Sequence, residues 1–430
     1  MLWTWDHSTE WKLNCPGAQT IGACNYYSRR KEWFEEDYTR LLEFCGRHHI
    51  DAVVVWGLLR DHHGGVESAK RLCEVAARNK VRLLCGVGLC AYGGVYYDGD
   101  SPHSLDLRLR KHPEFKAVQA AGEPLEYRSR VYGDRTYYHA CPSRKENQDY
   151  IADSLQWLFK NVPVDGVQIE SGDMGVCECE LCRARRRHPV GKFSWEDMAL
   201  LYPMAIEVIR SVKPDAWVVC ETYSHPEPCA ATAEAPQFGD GRTAWADECL
   251  AKIPDGVFIE WVYDQLRKDM PKHLWTQAGN LDTSRHRHIM RAHFSTYWAG
   301  TRGEVAVDDI AEMARESMAR GAEGLSLFGE VSPFHAGAEL NYLALENFGS
   351  PANPKADFDV FLRDVAAPLL GGESNARDYL KYAKLKNQPG RIPDALKEIY
   401  SRCGHLPPQA ARRWAWLGNF LASFVYHDNR

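Results

Sequence analysis

The sequence contains no run of 18 apolar residues and so no candidate membrane span, because a helix needs about 20 such residues to cross a bilayer. Its start, MLWTWDHSTEW, also lacks the basic segment and the apolar segment of a secretion signal. The 14 cysteines are scattered, and several lie inside apolar segments, among them Cys45, Cys73, Cys85 and Cys220. Reduced, buried thiols are typical of cytoplasmic proteins, so we expect a mature cytoplasmic protein.

Long blocks of one charge are missing as well. The chain has 52 Lys and Arg against 58 Asp and Glu, a net charge of −6, which gives no electrostatic footprint for binding nucleic acid. Aromatic residues, in contrast, are plentiful, with 14 Trp and 20 Tyr. They indicate a large core or a site that stacks rings against the apolar face of a sugar. We therefore expect a carbohydrate as the substrate, with no nucleic acid and no membrane as partners, and the sequence leaves a homo-oligomer open.

Short apolar runs alternate with helical patterns along most of the chain, and a glycine-rich first turn, common in open doubly wound sheets, is absent. Eight such runs predict strands at 2–8, 51–61, 81–92, 165–171, 216–224, 256–264, 288–298 and 323–331. Each is followed by a predicted helix, with a long excursion at 93–143. Eight βα units predict an α/β fold, a (β/α)8 TIM barrel over residues 1–349. The Pro-rich segment 350–359 then leads into a C-terminal helical region, 350–430.

The active site of such a barrel lies at the C-terminal ends of its strands. The acids found there are Glu170, Asp173, Glu221, Glu260 and Glu330. Candidates for binding substrate are Asp6, His7, Trp56, Arg60, Asp61, His62, Tyr92, Tyr223, Trp261, Tyr263, Arg291, His293, Tyr297 and Trp298. Side chains alternate between the two faces of a strand, so the polar faces of the fourth, seventh and eighth strands place Glu170, His293 and Glu330 around one cavity.

Several carboxyls in one apolar cavity suit glycoside hydrolysis, in which one acid protonates the leaving oxygen and a second attacks or activates water. Like charges and burial push such pKa values apart. Any single strand-end acid is as well explained as a helix cap or an ion-pair partner. Arg60, His62, His63, Arg291 and His293 would bind an anionic sugar, or the arginines would merely neutralise neighbouring acids.

The motifs IESGD at 170 and CxCxxC at 177–182, with the closing pattern FGE…ELNYLALENF, resemble those of barrel glycoside hydrolases. The resemblance covers residues 1–350 and is to the hexosaminidase-like and α-glucuronidase-like groups and their uncharacterised relatives. It implies that Glu170 is the proton donor. The largest retaining clan carries a nucleophile on strand seven, where this chain has Ser295, Tyr297 and Trp298. The second acid is then Asp173, Glu221, Glu260 or Glu330, with Glu260 and Glu330 ranked first.

Two other functions fit the same barrel. Glu221, an acid on the sixth strand, His293 and Glu330 resemble the divalent-metal site of barrel sugar isomerases and epimerases. A sugar-binding protein without catalysis is the other alternative. The flanking Trp and Tyr residues favour the hydrolase, for which we expect no required cofactor.

The thiols of Cys177, Cys179 and Cys182 supply three soft ligands within six residues. With a fourth ligand, such as His188 or Cys141, they would hold structural zinc. The alternative is a set of reduced thiols packed in a loop, because three cysteines without a second pair are an incomplete zinc motif.

Overall fold

The structure is a computed structural model, and it describes residues 1–5, 31–97, 99–129, 135–188, 190–224, 244–263, 281–294, 303–328, 336–350 and 356–427. Within these ranges, the helices include none that is long and apolar enough to span a membrane.

Eight parallel strands form a closed barrel. They are β1 (Leu2–Trp5), β2 (Ala52–Trp56), β3 (Arg82–Gly88), β6 (Gly166–Glu170), β7 (Trp217–Glu221), β8 (Phe258–Val262), β9 (Arg287–Ala292) and β10 (Gly324–Phe328). Two further strands, β4 (Glu126–Ser129) and β5 (Arg135–Tyr138), form a hairpin outside the barrel. Around the barrel the order is β1, β10, β9, β8, β7, β6, β3 and β2, and β1 pairs with both β10 and β2, which closes the ring. The predicted (β/α)8 TIM barrel is confirmed.

Helices follow the strands and cover the barrel. They are α1 (Lys31–Arg47), α2 (Gly65–Arg78), α3 (Leu105–Lys111), α4 (Lys145–Asn161), α5 (Glu180–Arg185), α6 (Trp195–Val212), α7 (Ala244–Leu250), α8 (Val307–Ala319) and α9 (Ala336–Gly349). In α2 the buried residues include Ala69, Leu72, Cys73 and Ala76, the spacing of one helix face. That face meets the outside of the barrel.

Side-chain alternation divides the barrel strands into two cores. In β2, Val53 and Val55 point outward into the large core between strands and helices. Val54 and Trp56 point inward, where they join a smaller core inside the barrel. In β3 the inward position opposite Trp56 is Gly86, where an added Cβ would lie 2.4 Å from the indole ring. Glycine at this position leaves room for the indole inside the barrel.

The predicted excursion after the third strand contains regular structure. Besides α3, it forms a 3-10 turn, Pro113–Phe115, and the antiparallel hairpin of β4 (Glu126–Ser129) and β5 (Arg135–Tyr138). The Ala140 amide donates to the Cys90 carbonyl at 2.8 Å, which ties the end of the hairpin to the end of β3. The excursion therefore lies against the C-terminal ends of the strands.

The C-terminal region is helical, as predicted. It contains α10 (Phe358–Phe361), α11 (Ala367–Leu370), α12 (Glu373–Ala383), α13 (Ile392–Cys403) and α14 (Pro408–His427), with a π-helical turn, Leu362–Ala366, between α10 and α11. The Arg413 guanidinium on α14 makes two hydrogen bonds, of 2.6 and 2.7 Å, to the Glu339 carboxylate on α9. The appendage thus packs on the last barrel helix, and the division at residue 350 stays a prediction.

Candidate functional site

Two acids and one cation lie inside the barrel below the strand ends. Glu221 and Glu260 are neighbours in the register of β7 and β8, and both are fully buried. Arg291, on β9, is also buried, and its Nη2 lies 2.9 Å from Glu221 Oε1. Its Nε lies 3.9 Å from Glu260 Oε2, and its Cζ lies 4.6 Å from the centre of the Trp3 ring. One guanidinium therefore serves two carboxyls.

A chain of hydrogen bonds fixes this floor to the opposite wall of the barrel. The Trp56 indole N–H donates to Gln168 Oε1 at 2.7 Å, and the Gln168 amide donates in turn to Glu260 Oε2. The Tyr223 backbone N–H donates to Glu221 Oε1 at 2.7 Å. These hydrogen bonds hold the two acids in place.

The floor carries more negative than positive charge unless it holds a proton. Glu221 Oε2 and Glu260 Oε1 are buried and lack a donor among the described residues. Burial raises the pKa of Glu221 well above its ordinary value, Arg291 opposes the shift, and Glu260 adds to it. Burial therefore favours the protonated form of Glu221 in this floor.

Glu170 ends β6 above this floor and is 2% exposed. Its Oε2 accepts a hydrogen bond of 2.5 Å from the Tyr223 hydroxyl. Burial raises the pKa of Glu170 to about 7, against the opposing effects of Arg291 and Tyr223, and the nearby Glu260 raises it further. A carboxyl with this pKa is half protonated near neutrality, which suits a general acid.

Asp173 lies three residues beyond the strand and is partly exposed. The Tyr92 hydroxyl donates to its Oδ1. Burial raises the pKa of Asp173 to about 6, with Arg291 and Lys192 acting in the opposite direction. The two acids at the end of β6 thus have different environments and different pKa values.

The two tyrosines that donate to these acids have strained backbones. Tyr92 has a φ of 52° and Tyr223 a φ of 57°, in the left-handed region that favours glycine. A residue held there costs on the order of 1–3 kcal/mol, and such residues cluster at functional sites. Both strained tyrosines therefore aim a hydroxyl at a candidate acid.

Arg60 follows β2 and is a buried arginine, and among the described residues no acid forms an ion pair with it. It is 2% exposed, and its Cζ lies 4.6 Å from the centre of the Tyr97 ring. Its Nε and Nη2 groups have no hydrogen-bond partner among the described residues. Since a guanidinium keeps its charge in proteins, the part of the chain that the structure describes supplies Arg60 with neither a counter-ion nor an acceptor for these two groups.

Aromatic rings pack inside the barrel, in contact with Arg60 at Tyr97 and with Arg291 at Trp3. Trp3, Trp56, Tyr97, Tyr137 and Phe328 belong to the core inside the barrel, and Tyr92 packs at its edge; we call these six residues the inner aromatic cluster. The Tyr97 hydroxyl donates to that of Tyr137 at 3.1 Å. Among these residues, Trp3, Tyr97, Tyr137 and Phe328 were not predicted. Tyr97 and Tyr137 come from the excursion, and strand periodicity gives no signal for them.

Four predicted substrate-binding residues do not belong to the inner aromatic cluster and lie away from it. Trp261 is fully buried in the outer core, where its indole donates to His288 Nδ1 at 2.9 Å. Tyr263 is also in the outer core and donates to Glu316. Both share the parity opposite to Glu260, so they face the helices. Asp61 is exposed and accepts from Tyr96 and the Asp100 amide, and His62 is exposed beside it.

His293 lies next to the inner aromatic cluster, with its ring stacked on Trp3 at 5.8 Å and against Phe328 at 5.7 Å. The position of His293 at a substrate cavity stays a prediction. The remaining predicted residues lie outside the described residues. They are Asp6, His7, Tyr297, Trp298 and Glu330.

The three cysteines after β6 meet a fourth, Cys141, which is one of the two candidate ligands named from sequence. The thiol sulfurs of Cys141, Cys177, Cys179 and Cys182 all lie within 4.8 Å of one another. This is the one group of potential metal ligands within the described part of the chain. In the floor, the space between Glu221 and Glu260 that a divalent metal would need is taken by the Arg291 guanidinium, which weakens the isomerase alternative.

No protein-family model matches the sequence, and no curated protein matches it significantly. Solved structures with similar folds include a β-N-acetylhexosaminidase from Bacteroides fragilis NCTC 9343, with a TM-score of 0.44 and 11% identity, covering 84% of this chain and 67% of that one. A second β-N-acetylhexosaminidase gives a TM-score of 0.49 and 11% identity, covering 86% and 75%. An α-L-fucosidase from Paenibacillus thiaminolyticus gives 0.42 and 13%, covering 73% of this chain, which spans 45% of that enzyme. Similarity at this level says nothing about the chemistry of the site.

Proposed function

We propose that the protein is a glycoside hydrolase in which Glu170 donates the proton to the leaving oxygen. The observation that carries this proposal is the pair of acids at the end of β6. Burial raises the pKa of Glu170 to about 7 and that of Asp173 to about 6. Glu170 is almost fully buried and Asp173 is partly exposed, so burial favours the proton on Glu170 and leaves Asp173 the acid that acts ionised.

Asp173 is the second acid of the proposal because of its accessibility. Glu221 and Glu260 have no exposed surface and are engaged with Arg291 and Gln168. Asp173 is partly exposed and lies on the same strand end as Glu170. This departs from the ranking drawn from sequence for Glu260, whereas Glu330, ranked beside it, lies outside the described residues. Glu221 and Glu260 keep a supporting role, since their charges and that of Arg291 set the potential around Glu170.

The proton of the Glu170 carboxyl passes to the glycosidic oxygen as the bond to the anomeric carbon breaks. The Asp173 carboxylate either attacks that carbon or takes a proton from an attacking water. Tyr223 and Tyr92 hold the two carboxyls by hydrogen bonds, so neither acid has to reorient during the reaction. Tyr92, at the partly exposed edge of the inner aromatic cluster, is the ring that offers an apolar face to the sugar.

An anionic sugar is the substrate class that Arg60 favours. Its two buried N–H donors lack partners among the described residues, and leaving such donors unpaired costs about 1–3 kcal/mol each. A carboxylate or sulfate group on the sugar would pair with both donors in the bidentate manner of arginine. The Tyr97 ring holds the guanidinium from its other face. A uronide or a sulfated glycoside therefore fits better than a neutral one.

The test is a screen of nitrophenyl and methylumbelliferyl glycosides that includes uronides and sulfated sugars, with wild type and Glu170→Gln side by side. We expect turnover of an anionic glycoside and a loss of at least about 100-fold in kcat with Glu170→Gln. Glu74→Gln, an exposed acid on α2, is the matched control and should keep full activity. Equal turnover by Glu170→Gln and wild type would remove Glu170 from the acid role. Tight sugar binding without turnover by any variant would indicate the non-catalytic barrel.

A further inference from the structure

The proposed function does not use one group of side chains, the four cysteines Cys141, Cys177, Cys179 and Cys182. They come from two separate places, since Cys141 follows the hairpin and the other three follow β6. Cys141, Cys177 and Cys182 are buried, and Cys179 is partly exposed. We call this group the cysteine cluster.

The spacing of the sulfurs matches a tetrahedral site for one ion. Cys141 Sγ lies 3.6 Å from Cys179 Sγ and 3.5 Å from Cys182 Sγ, and no pair in the cluster exceeds 4.8 Å. A zinc ion with Zn–S bonds of about 2.3 Å places its four sulfurs about 3.8 Å apart. A disulfide needs about 2.05 Å, so these thiols are not bonded to one another. The sulfurs have the separations expected around zinc.

The surroundings suit the charge of such a site. Four thiolates around Zn²⁺ carry two net negative charges. Arg186, whose side chain is 4% exposed, donates to the Cys177 carbonyl at 2.7 Å, and Arg185 donates to Ser143 Oγ at 3.0 Å. That hydroxyl lies 3.1 Å from Cys182 Sγ. Arg185 and Arg186 both pair with the Asp197 carboxylate, so one net positive charge and a polar hydroxyl border the cluster.

The excursion packs against the cysteine cluster. The Glu178 amide donates to the Val118 carbonyl at 2.7 Å, and the side chains of Ala117 and Leu125 close the cluster from the excursion side. With four sulfur ligands and apolar cover, no position is left open for a substrate, which is typical of a structural site.

We propose that the cysteine cluster binds one structural zinc ion. The ion joins the loop after β6 to the segment that follows the hairpin. Cys177 lies four residues after Asp173, and Gly175, between them, has its amide bonded to the Lys192 carbonyl at 2.9 Å. The zinc therefore fixes the loop that carries Asp173, and this role does not depend on whether the barrel hydrolyses glycosides.

The test measures metal in the untagged protein purified under reducing conditions, by plasma mass spectrometry. We expect about one zinc per chain. A mercurial reagent that titrates the thiols should release one zinc for every four thiols that react. Apo-protein refilled with Co²⁺ should show the visible absorption of tetrahedral cobalt thiolate. A purified protein that carries no zinc and takes up neither ion would overturn the proposal, as would one iron per chain.

Cys179→Ser is the test variant, since Cys179 is the most exposed of the four and its change disturbs packing least. We expect its zinc affinity to fall by roughly 100-fold or more, because a structural site derives its binding free energy from all four ligands. Cys403→Ser, on α13, is the matched control and should retain about one zinc. Hydrogen exchange gives a second readout, in which zinc removal should deprotect residues 171–182 and leave α14 unchanged. Equal zinc affinity for both variants, or equal protection with and without zinc, would contradict the proposal.

Discussion

Replacing Glu170 with glutamine should stabilise the protein at alkaline pH and leave its stability nearly unchanged in acid. Glutamine has the shape of a protonated glutamate and can accept the same hydrogen bond from Tyr223. It cannot ionise. The variant therefore removes only the cost of carrying a buried negative charge at this position.

The magnitude follows from the pKa. Glu170 has a pKa of about 7 in the folded chain, against an ordinary value of 4.5, and burial is the main cause. One pKa unit corresponds to about 1.4 kcal/mol, so the full difference corresponds to about 3 kcal/mol. The folded state binds this proton more tightly than the unfolded state does. The stability of wild type therefore falls as pH rises from 4.5 to 7, and the loss is complete above 7.

Urea unfolding at pH 4.5, 6 and 8 checks this expectation, with tryptophan fluorescence as the probe. The difference in free energy of unfolding between Glu170→Gln and wild type should grow from near zero to about 3 kcal/mol in favour of the variant. Glu74→Gln, which makes the same carboxyl-to-amide change at an exposed position, is the matched control. A difference for Glu170→Gln that is independent of pH, or that favours wild type at pH 8, would refute the assignment of a buried, proton-retaining acid.

Three further outcomes are expected. On the substrate found in the screen, kcat/KM should fall as pH drops through about 6, when Asp173 takes up a proton, and as pH rises through about 7, when Glu170 loses its proton; a flat profile from pH 5 to 8 would contradict this pairing. Tyr223→Phe should move the alkaline limb to higher pH, because the lost hydrogen bond had lowered the pKa of Glu170, and an unmoved limb would show that the bond is not made in solution. Gly86→Ala should destabilise the barrel by about 1–3 kcal/mol in urea unfolding, since its Cβ would lie 2.4 Å from the Trp56 ring, and wild-type stability would mean that the indole lies elsewhere.

Side-chain parity was the most informative feature of the sequence. It predicts that Gln168 and Glu170 share the inner face of one strand, and in the structure Gln168 bonds to Glu260 across the barrel. It also predicts Arg291 on an inner face, where the structure has it. The same rule separates Trp261 from Glu260, because adjacent residues face opposite sides. Their grouping in one site was wrong on that ground, and the sequence itself contained the information.

Side-chain parity does not predict the contacts that residues of the excursion make. Tyr97 and Tyr137 are 40 positions apart and meet only because α3 and the hairpin fold back over the barrel. Cys141 lies 36 residues before Cys177, and the sequence predicts it only as one of two candidates for the fourth ligand, with His188 as the other. Long-range contacts of this kind depend on loop geometry, which residue spacing does not determine.

The single guanidinium at the floor of the barrel also limits how the sequence can change over evolution. Loss of Arg291 alone would leave Glu221 and Glu260 buried together without a cation, and breaking a buried pair in this way costs about 3–5 kcal/mol. Loss of one acid alone would change the net charge of the buried group, because Arg291 would then face a single glutamate. Relatives of this protein that lack the arginine should therefore also lack at least one of the two glutamates, so that the three positions vary together.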